Sequence, residues 1–243
     1  MKYAFQFLGI LFTACLLNAC SSVFKDKNCI EGSGDVITEE RPFEGSIQKI
    51  YNGIAGNVFI TQGSEQKVTI QAQANLIPLL NLTLVDQELR IEFKDNSCVN
   101  NSTINIFVTA ATINKVTLAG SGNIEGQNTW ESPNLEAIIS GSGSIKATIK
   151  STEVNSSLGG SGNIVLSGST QKQSLHLTGS GNYQNFGLAS EQTTVNLTGS
   201  GNVEIQASQA LNVTISGSGN VAYKGSPSIT QNITGSGKVN NAN

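Results

Sequence analysis

Three carboxylates around a lone tryptophan are the strongest candidates for acid–base chemistry in this sequence. Glu125, Glu131 and Glu136 lie close together in the chain and surround Trp130. Glycoside hydrolysis generally requires a pair of carboxylates, and calcium-assisted elimination requires several carboxylate oxygens around the metal. From residue 96 onward the chain has six Glu and no Asp, and the six are scattered singly. We therefore predict solvated loop charges and no catalytic residue, with a polysaccharide-processing enzyme as the alternative.

The only histidine offers no better chemistry. His176 lies between Leu175 and Leu177, so strand alternation points it away from the core. No Cys or second His is nearby to complete a metal site. The many serines have no His or Lys partner at a recognisable spacing. The sequence predicts an exposed strand residue at His176, no metal and no cofactor.

The first cysteines belong to a targeting segment. Residues 1–19 have a basic start at Lys2 and an apolar run too short to span a bilayer comfortably, as in a secretory signal peptide. The segment Leu17-Asn18-Ala19-Cys20 resembles the lipobox of bacterial lipoproteins, in which the Cys is lipidated. We predict lipidation at Cys20, and hence a membrane partner and an outer-membrane location on an undetermined face. An ordinary signal peptide cleaved nearby is the alternative.

Two cysteines remain in the exported chain. Cys29 and Cys98 would meet an oxidising compartment, where disulfides form and persist. A bridge between them would contribute roughly 4 kcal/mol in the chain-entropy model. We predict this disulfide, with two free thiols as the alternative. The polar stretch 20–41 is expected to be the lipidated N-terminus and tether, and residues 42–243 a single head domain.

Low charge excludes one class of partner. Only 13% of residues are charged and the net charge is −3, against about 25% charged residues in an average soluble domain. No basic stripe exists in the sequence, so the electrostatic footprint of a nucleic-acid binder is absent. The missing charge is replaced by Gly, Ser, Thr and Asn.

An internal repeat predicts the fold. Gly-Ser-Gly occurs seven times, at spacings of 18 to 21 residues, and Asn follows in five copies. The copies begin at Gly120, Gly141, Gly160, Gly179, Gly199, Gly217 and Gly235. Apolar residues alternate with polar ones around each copy, as in Leu211, Val213 and Ile215, which indicates half-buried strands. The segments before residue 108 alternate less regularly and are expected to be irregular coils of the same body.

Two architectures fit this repeat. In a meander each Gly-Ser-Gly would be a hairpin tip, whereas in a solenoid identical residues stack about 4.8 Å apart. Seven nearly identical turns favour the solenoid, because only stacking gives identical positions a shared environment. We predict an all-β, right-handed parallel β-helix with 18–21 residues per coil and Gly-Ser-Gly-Asn turns. The turn serines would hydrogen-bond from coil to coil, and the Asn would form a partial second ladder.

The sequence predicts that ligand binding takes place on the outer surface of the solenoid. The predicted binding residues are the exposed aromatic Trp130 and the first six members of a serine column at the turns, for a glycan or protein ligand. The serine column comprises Ser121, Ser142, Ser161, Ser180, Ser200, Ser218 and Ser236. Tyr183 and Tyr223 follow strand alternation and are candidates for the core.

The chain resembles the auto-transporter adhesin head GIN domain family over about residues 42–243. The likeness rests on Asn57–Gly63, Val68–Ala74, Asn75–Ile77 and Leu89–Ile91, followed by the serial Gly-Ser-Gly-Asn turns. The resemblance implies a secreted or lipid-anchored bacterial protein with a β-helical fold and an adhesive or structural role. Family turns often carry Asp where this chain has Asn, which removes possible metal-binding carboxylates. The family supplies no functional residues, so the resemblance predicts a non-enzymatic cell-envelope lipoprotein without assigning its site.

Overall fold

The computed structural model describes residues 29–100 and 102–243, which form a β-solenoid. The described residues contain no α-helix, and two short 3-10 helices lie at Ile77–Leu79 and Lys94–Asn96. The strands are β1 (Ile30–Glu31), β2 (Val36–Glu40), β3 (Lys49–Asn52), β4 (Asn57–Gln62), β5 (Lys67–Gln73), β6 (Leu80–Val85), β7 (Glu88–Phe93), β8 (Val99–Asn100), β9 (Ile104–Ala110), β10 (Lys115–Leu118), β11 (Asn123–Ile139), β12 (Ser144–Leu158), β13 (Asn163–Gly179), β14 (Asn182–Gly199), β15 (Asn202–Gly217), β16 (Asn220–Lys224), β17 (Ser228–Gly235) and β18 (Lys238–Asn241).

Each long strand serves two sheets, because it bends midway at a corner. In β12 the buried positions are Ile145, Ala147 and Ile149 before the corner and Val154 and Leu158 after it, so the alternation changes phase. The halves that follow a Gly-Ser-Gly turn form the first sheet, and the halves that precede the next turn form the second. One coil is therefore a first-sheet half, a corner, a second-sheet half and a turn.

The coils stack in parallel. Gly179 pairs with Gly199, Gly199 with Gly217, and Gly217 with Gly235, so equivalent turns lie directly above one another. The stack in the first sheet runs β9, β4, β11, β12, β13, β14, β15, β16, β18, and in the second sheet β7, β3, β10, β11, β12, β13, β14, β15, β17. The predicted all-β solenoid is confirmed, and the meander is excluded for these coils.

The N-terminal end departs from the expectation of irregular coils. β5 pairs antiparallel with β9, β2 pairs antiparallel with β5, and β6 forms an antiparallel hairpin with β7. Strands β2, β5 and β6 therefore close the first coil instead of continuing the parallel stack. Within the stretch expected to be the tether, Ile30–Glu31 forms β1 and Val36–Glu40 forms β2.

Columns of aliphatic side chains fill the space between the sheets. One column is Leu118, Ile139, Leu158, Leu177, Leu197 and Ile215, each with 1% or less of its surface exposed. Full burial of such a side chain contributes about 1.5–3 kcal/mol. Repeating the column in every coil gives the narrow solenoid a continuous core.

Glycine is required where this core meets the turns. A Cβ at Gly181 would lie 2.7 Å from Cδ2 of Leu158 in the preceding coil, a separation that packed atoms do not adopt. Gly179 has φ of +129°, a conformation that side chains with a Cβ rarely adopt. The first glycine therefore permits the bend, and the second permits close stacking on the core.

The opposite corner is held by hydroxyl groups. Ser132, Ser151 and Thr170 each donate to the backbone carbonyl two residues ahead, at 2.8, 2.8 and 3.0 Å. The Thr170 hydroxyl also approaches the Thr152 carbonyl of the preceding coil at 3.2 Å. These hydroxyls therefore fix the corner and bridge adjacent coils.

A disulfide joins Cys29 to Cys98, as predicted. Beside it, β1 pairs with β8, and the Ile30 amide donates to the Cys98 carbonyl at 2.8 Å. The bridge fixes the start of the described chain to the N-terminal end of the solenoid. The predicted signal peptide, residues 1–19, and the predicted lipidation site Cys20 lie outside the described residues.

Candidate binding surface

The outer face of the second sheet carries an extended field of small uncharged side chains. We call it the polar array. It comprises Asn155, Ser157, Ser174, His176, Thr178, Thr194, Asn196, Thr198, Asn212, Thr214, Ser216, Thr230, Asn232 and Thr234. These residues alternate with inward-facing positions along five neighbouring strands, so the strand period of two places all of them outside.

Strand register orders the array into rows. Ser157, His176, Asn196, Thr214 and Asn232 occupy equivalent positions in successive coils. With strands about 4.8 Å apart, the row extends roughly 19 Å along the solenoid, and each strand contributes about 13 Å in the other direction. The array is therefore large enough for a ligand of several chemical units.

The array side chains face solvent with few internal hydrogen bonds. All are exposed except the half-buried Ser174. Asn155 donates to the Glu153 carboxylate at 2.9 Å, and His176 and Thr178 lie 3.5 Å apart. Within the described residues, the other eleven array side chains form no hydrogen bond to protein groups. Their donors and acceptors are free for solvent or a ligand.

The outer face of the first sheet is chemically different. It carries charges such as Glu125, Lys146 and Glu204 in place of an unbroken neutral field. Phe59 and Phe107 stack on it with ring centroids 5.1 Å apart, and Phe107 is 36% exposed. Sequence reasoning missed this pair, although the alternation of β4 and β9 places both rings outside.

The predicted asparagine ladder exists on the first sheet, in two sections. Asn123 donates to Asn57, and Asn57 donates to Asn105, at 2.9 and 3.1 Å. After an interruption at Ser144, amide contacts of 3.1 to 3.3 Å continue through Asn163, Asn182, Asn202 and Asn220. These amides bond one another and thereby stabilise the stack.

The serine column is exposed at the turns, but its predicted hydrogen bonds are wrong. In the described chain no hydroxyl of Ser121, Ser142, Ser161, Ser180, Ser200, Ser218 or Ser236 bonds to another coil. Backbone groups make the ladder instead: the Ser180 amide donates to the Gly160 carbonyl at 3.1 Å, and the Ser200 amide to Gly179 at 3.0 Å. The column borders the polar array, because each serine follows Thr178 or its equivalent by two residues.

Trp130 is buried, which corrects the prediction of an exposed aromatic binding residue. Only 1% of its surface is exposed, and its indole Nε1 donates to the Ile60 carbonyl at 3.4 Å. The register of β11 shifts between Glu125 and Thr129, and the indole packs over Gly126, where a Cβ would lie 3.1 Å away. The bulge thus turns Trp130 inward, and it cannot contact a ligand from the surface.

The three candidate carboxylates pair with lysines of neighbouring coils or lie beside them. Glu136 pairs with Lys115 at 2.8 Å and Glu131 with Lys150 at 3.5 Å. Glu125 lies opposite Lys146 in the register, on the first sheet, whereas Glu136 is on the second. The coil therefore separates the carboxylates instead of joining two of them at one site.

Other chemistry-bearing groups are also dispersed. His176 is exposed on its strand, as predicted. Arg90 lies between Glu88 and Glu92 at 2.8 and 2.9 Å, and the hydrogen bond to Glu92 is the main cause that raises the pKa of Arg90. In residues 29–100 and 102–243, no three His, Cys, Asp or Glu side chains come together as a metal ion would require.

Tyr183 is a buried titratable group of the core whose pKa is strongly perturbed. Burial raises the pKa of its phenol, and the hydrogen bond to the His176 backbone opposes that rise. The hydroxyl donates to the His176 carbonyl at 3.1 Å.

Among the described residues, no helix has the length and apolar character needed to cross a membrane.

Comparison with known proteins agrees with this geometry. The model of the family "putative auto-transporter adhesin, head GIN domain" matches residues 48–227. No curated protein matches the chain. The structure resembles a putative adhesin from Bacteroides fragilis NCTC 9343, with a TM-score of 0.83 and 25% identity over 87% of this chain and 99% of that one.

Two further crystal structures share the fold. A putative adhesin from Parabacteroides distasonis ATCC 8503 has a TM-score of 0.72 at 22% identity, covering 88% of this chain and 100% of its own. A protein from the same strain described as a putative lipid binding protein has a TM-score of 0.71 at 22% identity, covering 88% and 99%. With three quarters of its length matched by the family model, the chain belongs to the auto-transporter adhesin head GIN domain family.

Proposed function

We propose that this protein is a non-enzymatic adhesin of the cell envelope that binds a glycan or protein ligand through the polar array and the bordering serine column. The observation that carries the proposal is the array itself, which is exposed, uncharged and free of internal hydrogen bonds over most of its side chains. Membership of the adhesin head family supports the same role.

The solenoid suits surface binding because its backbone is fixed before a ligand arrives. Every coil from β11 to β15 is paired on both sides along most of its length. Binding to a preorganised surface avoids the free-energy cost of ordering loops. A surface built from repeated coils also offers the same contacts several times.

Attachment to the membrane through lipid on Cys20 is part of the proposal. The lipobox-like Leu17-Asn18-Ala19-Cys20 supports it, and Cys29, nine residues later, is tied to the solenoid by the disulfide. The anchor would then hold the N-terminal end of the solenoid near the outer membrane. Metabolic labelling with a palmitate analogue should mark the wild-type chain and leave Cys20→Ala unlabelled.

A binding screen tests the adhesive role. The full chain, purified in detergent, is applied to arrays of glycans and extracellular-matrix proteins, with heat-unfolded chain as the control. We expect saturable binding to at least one class. Cleavage of a polysaccharide that is abolished by Glu125→Gln, Glu131→Gln or Glu136→Gln would contradict the proposal and favour the enzymatic alternative.

A further inference from the structure

We infer that the ligand of the polar array is an uncharged extended polysaccharide, which lies across the strands and along the stack of coils. The inference rests on the proposed adhesive function and deepens it by assigning the ligand class and the binding direction. It follows from the charge, the composition and the repetition of the array.

Charge excludes polyanions from this face. None of the fourteen array residues is Lys, Arg, Asp or Glu. An acidic polysaccharide or a nucleic acid needs cationic side chains to replace its counterions. Glu153 and Lys172 border the array on the same face, opposite each other in the register, so their charges offset one another. The chain as a whole is negative, at −3. A neutral ligand does not need such cationic side chains, so their absence does not weaken its binding.

Composition disfavours a protein partner. Protein interfaces concentrate their binding energy in Trp, Tyr and Arg anchors that enter fully desolvated pockets. The array contains none of these residues. It presents hydroxyls and amides, each of which both donates and accepts hydrogen bonds. A chain of sugar hydroxyls is the ligand with the same dual chemistry.

Repetition sets the direction. A row such as His176, Asn196 and Thr214 repeats every coil, about every 4.8 Å, whereas the strand direction offers only three outward positions. A polymer along the row meets one set of donors and acceptors per coil. Each contact is weak, but contacts made by one polymer add through high effective concentration.

The array side chains are also stiff. Six of the fourteen are Thr, whose branching at Cβ restricts the χ1 angle. Immobilising such side chains costs less conformational entropy than ordering long Lys or Gln side chains. A surface of this kind binds with little rearrangement, as a rigid repeating ligand requires.

The test measures binding of the full chain in detergent to neutral glucan, mannan and xylan, and to acidic alginate and hyaluronan. The variants Asn196→Glu and Thr214→Glu place a charge in the array. Gln184→Glu is the matched control, since Gln184 is exposed on the other sheet within the same coil as Asn196. All three sites are exposed, and unchanged thermal unfolding would verify the fold.

We expect at least one neutral polysaccharide to bind, a long oligosaccharide to bind better than its disaccharide, and each array variant to weaken binding about tenfold or more. The control should stay within about twofold. Binding only to acidic polysaccharides, or only to a matrix protein in the array screen above, would overturn the inference and leave the adhesive function standing. Binding to neutral polysaccharide that the array variants do not weaken would also overturn it, and binding to nothing in either the polysaccharide test or the array screen would overturn both.

Discussion

Tyr183 couples the stability of the core to alkaline pH. Its buried phenol has a raised pKa, so the folded chain keeps the proton while the unfolded chain releases it near the ordinary tyrosine value of about 10. Stability from this group is therefore complete below about pH 10 and decreases as pH rises further. The unfolded chain loses the phenol proton at a lower pH than the folded chain, so the free energy of unfolding falls as pH rises above about 10.

The variant Tyr183→Phe tests this coupling. At neutral pH it should lower the free energy of unfolding by about 1 kcal/mol, because the hydrogen bond to the His176 carbonyl is lost. Above about pH 10 the difference from wild type should shrink. Urea unfolding at both pH values measures it, and a constant difference would show that the Tyr183 phenol ionises normally.

Gln173 is a second buried residue, and its unpaired amide lowers the stability of the fold. It is 2% exposed, and neither polar atom of its amide has a hydrogen-bond partner in the described structure. The equivalent positions in other coils include Val154 and Leu211, so the site accepts an aliphatic side chain. Gln173→Leu should raise the free energy of unfolding by about 1–3 kcal/mol. A loss of stability in chemical denaturation would reveal a partner for the amide.

Trp130 shows why single residues were hard to predict. Its polar neighbours and nearby Pro133 indicate a surface loop. Its burial depends on a shift in strand register and on space above Gly126, both of which arise from packing between coils. A local sequence pattern contains neither, whereas the exposure of His176 follows from simple alternation and was predictable.

At the scale of the element, the two parts of the Gly-Ser-Gly turn should differ in their effect on stability. Gly181→Ala would place a Cβ 2.7 Å from Leu158 and should destabilise the fold by about 1–3 kcal/mol. Ser180→Ala should change stability by less than about 0.5 kcal/mol, because Ser180 is exposed and its hydroxyl bonds no other coil.

Chemical denaturation of these two variants distinguishes glycine packing from a serine ladder. A larger loss for Ser180→Ala than for Gly181→Ala would restore the hydroxyl ladder that the sequence first predicted. Thermal unfolding of both variants gives an independent check on which substitution destabilises the fold more.

The coils were predictable because each one repeats the same local sequence pattern. A bend at Gly179 and alternation in β13 are encoded within one repeat and recur at the same spacing. The antiparallel strands β2, β5 and β6 were not predictable, since their pairing joins segments without a shared motif. The corner hydroxyls Ser132, Ser151 and Thr170 did leave a signal, because their spacing of 19 residues matches the turns.

The whole molecule divides its chemistry along its length. Every Asp and Arg lies before residue 96, where antiparallel strands and a disulfide close the end of the solenoid. The coils beyond carry the polar array and the serine column that borders it. The sequence indicated the turn serines, and the structure adds the outward strand positions before them. Locating the array required the strand register, which places these exposed, uncharged side chains side by side on successive coils.

The accessibility of His176 tests the role of the array most directly. It is the only histidine in the chain and lies within the array, so carbethoxylation followed by mass spectrometry reports on that surface alone. The neutral polysaccharide that binds most tightly should slow modification of His176 at least severalfold, and alginate should not. Saturated binding with an unchanged modification rate would contradict the account and place the ligand elsewhere.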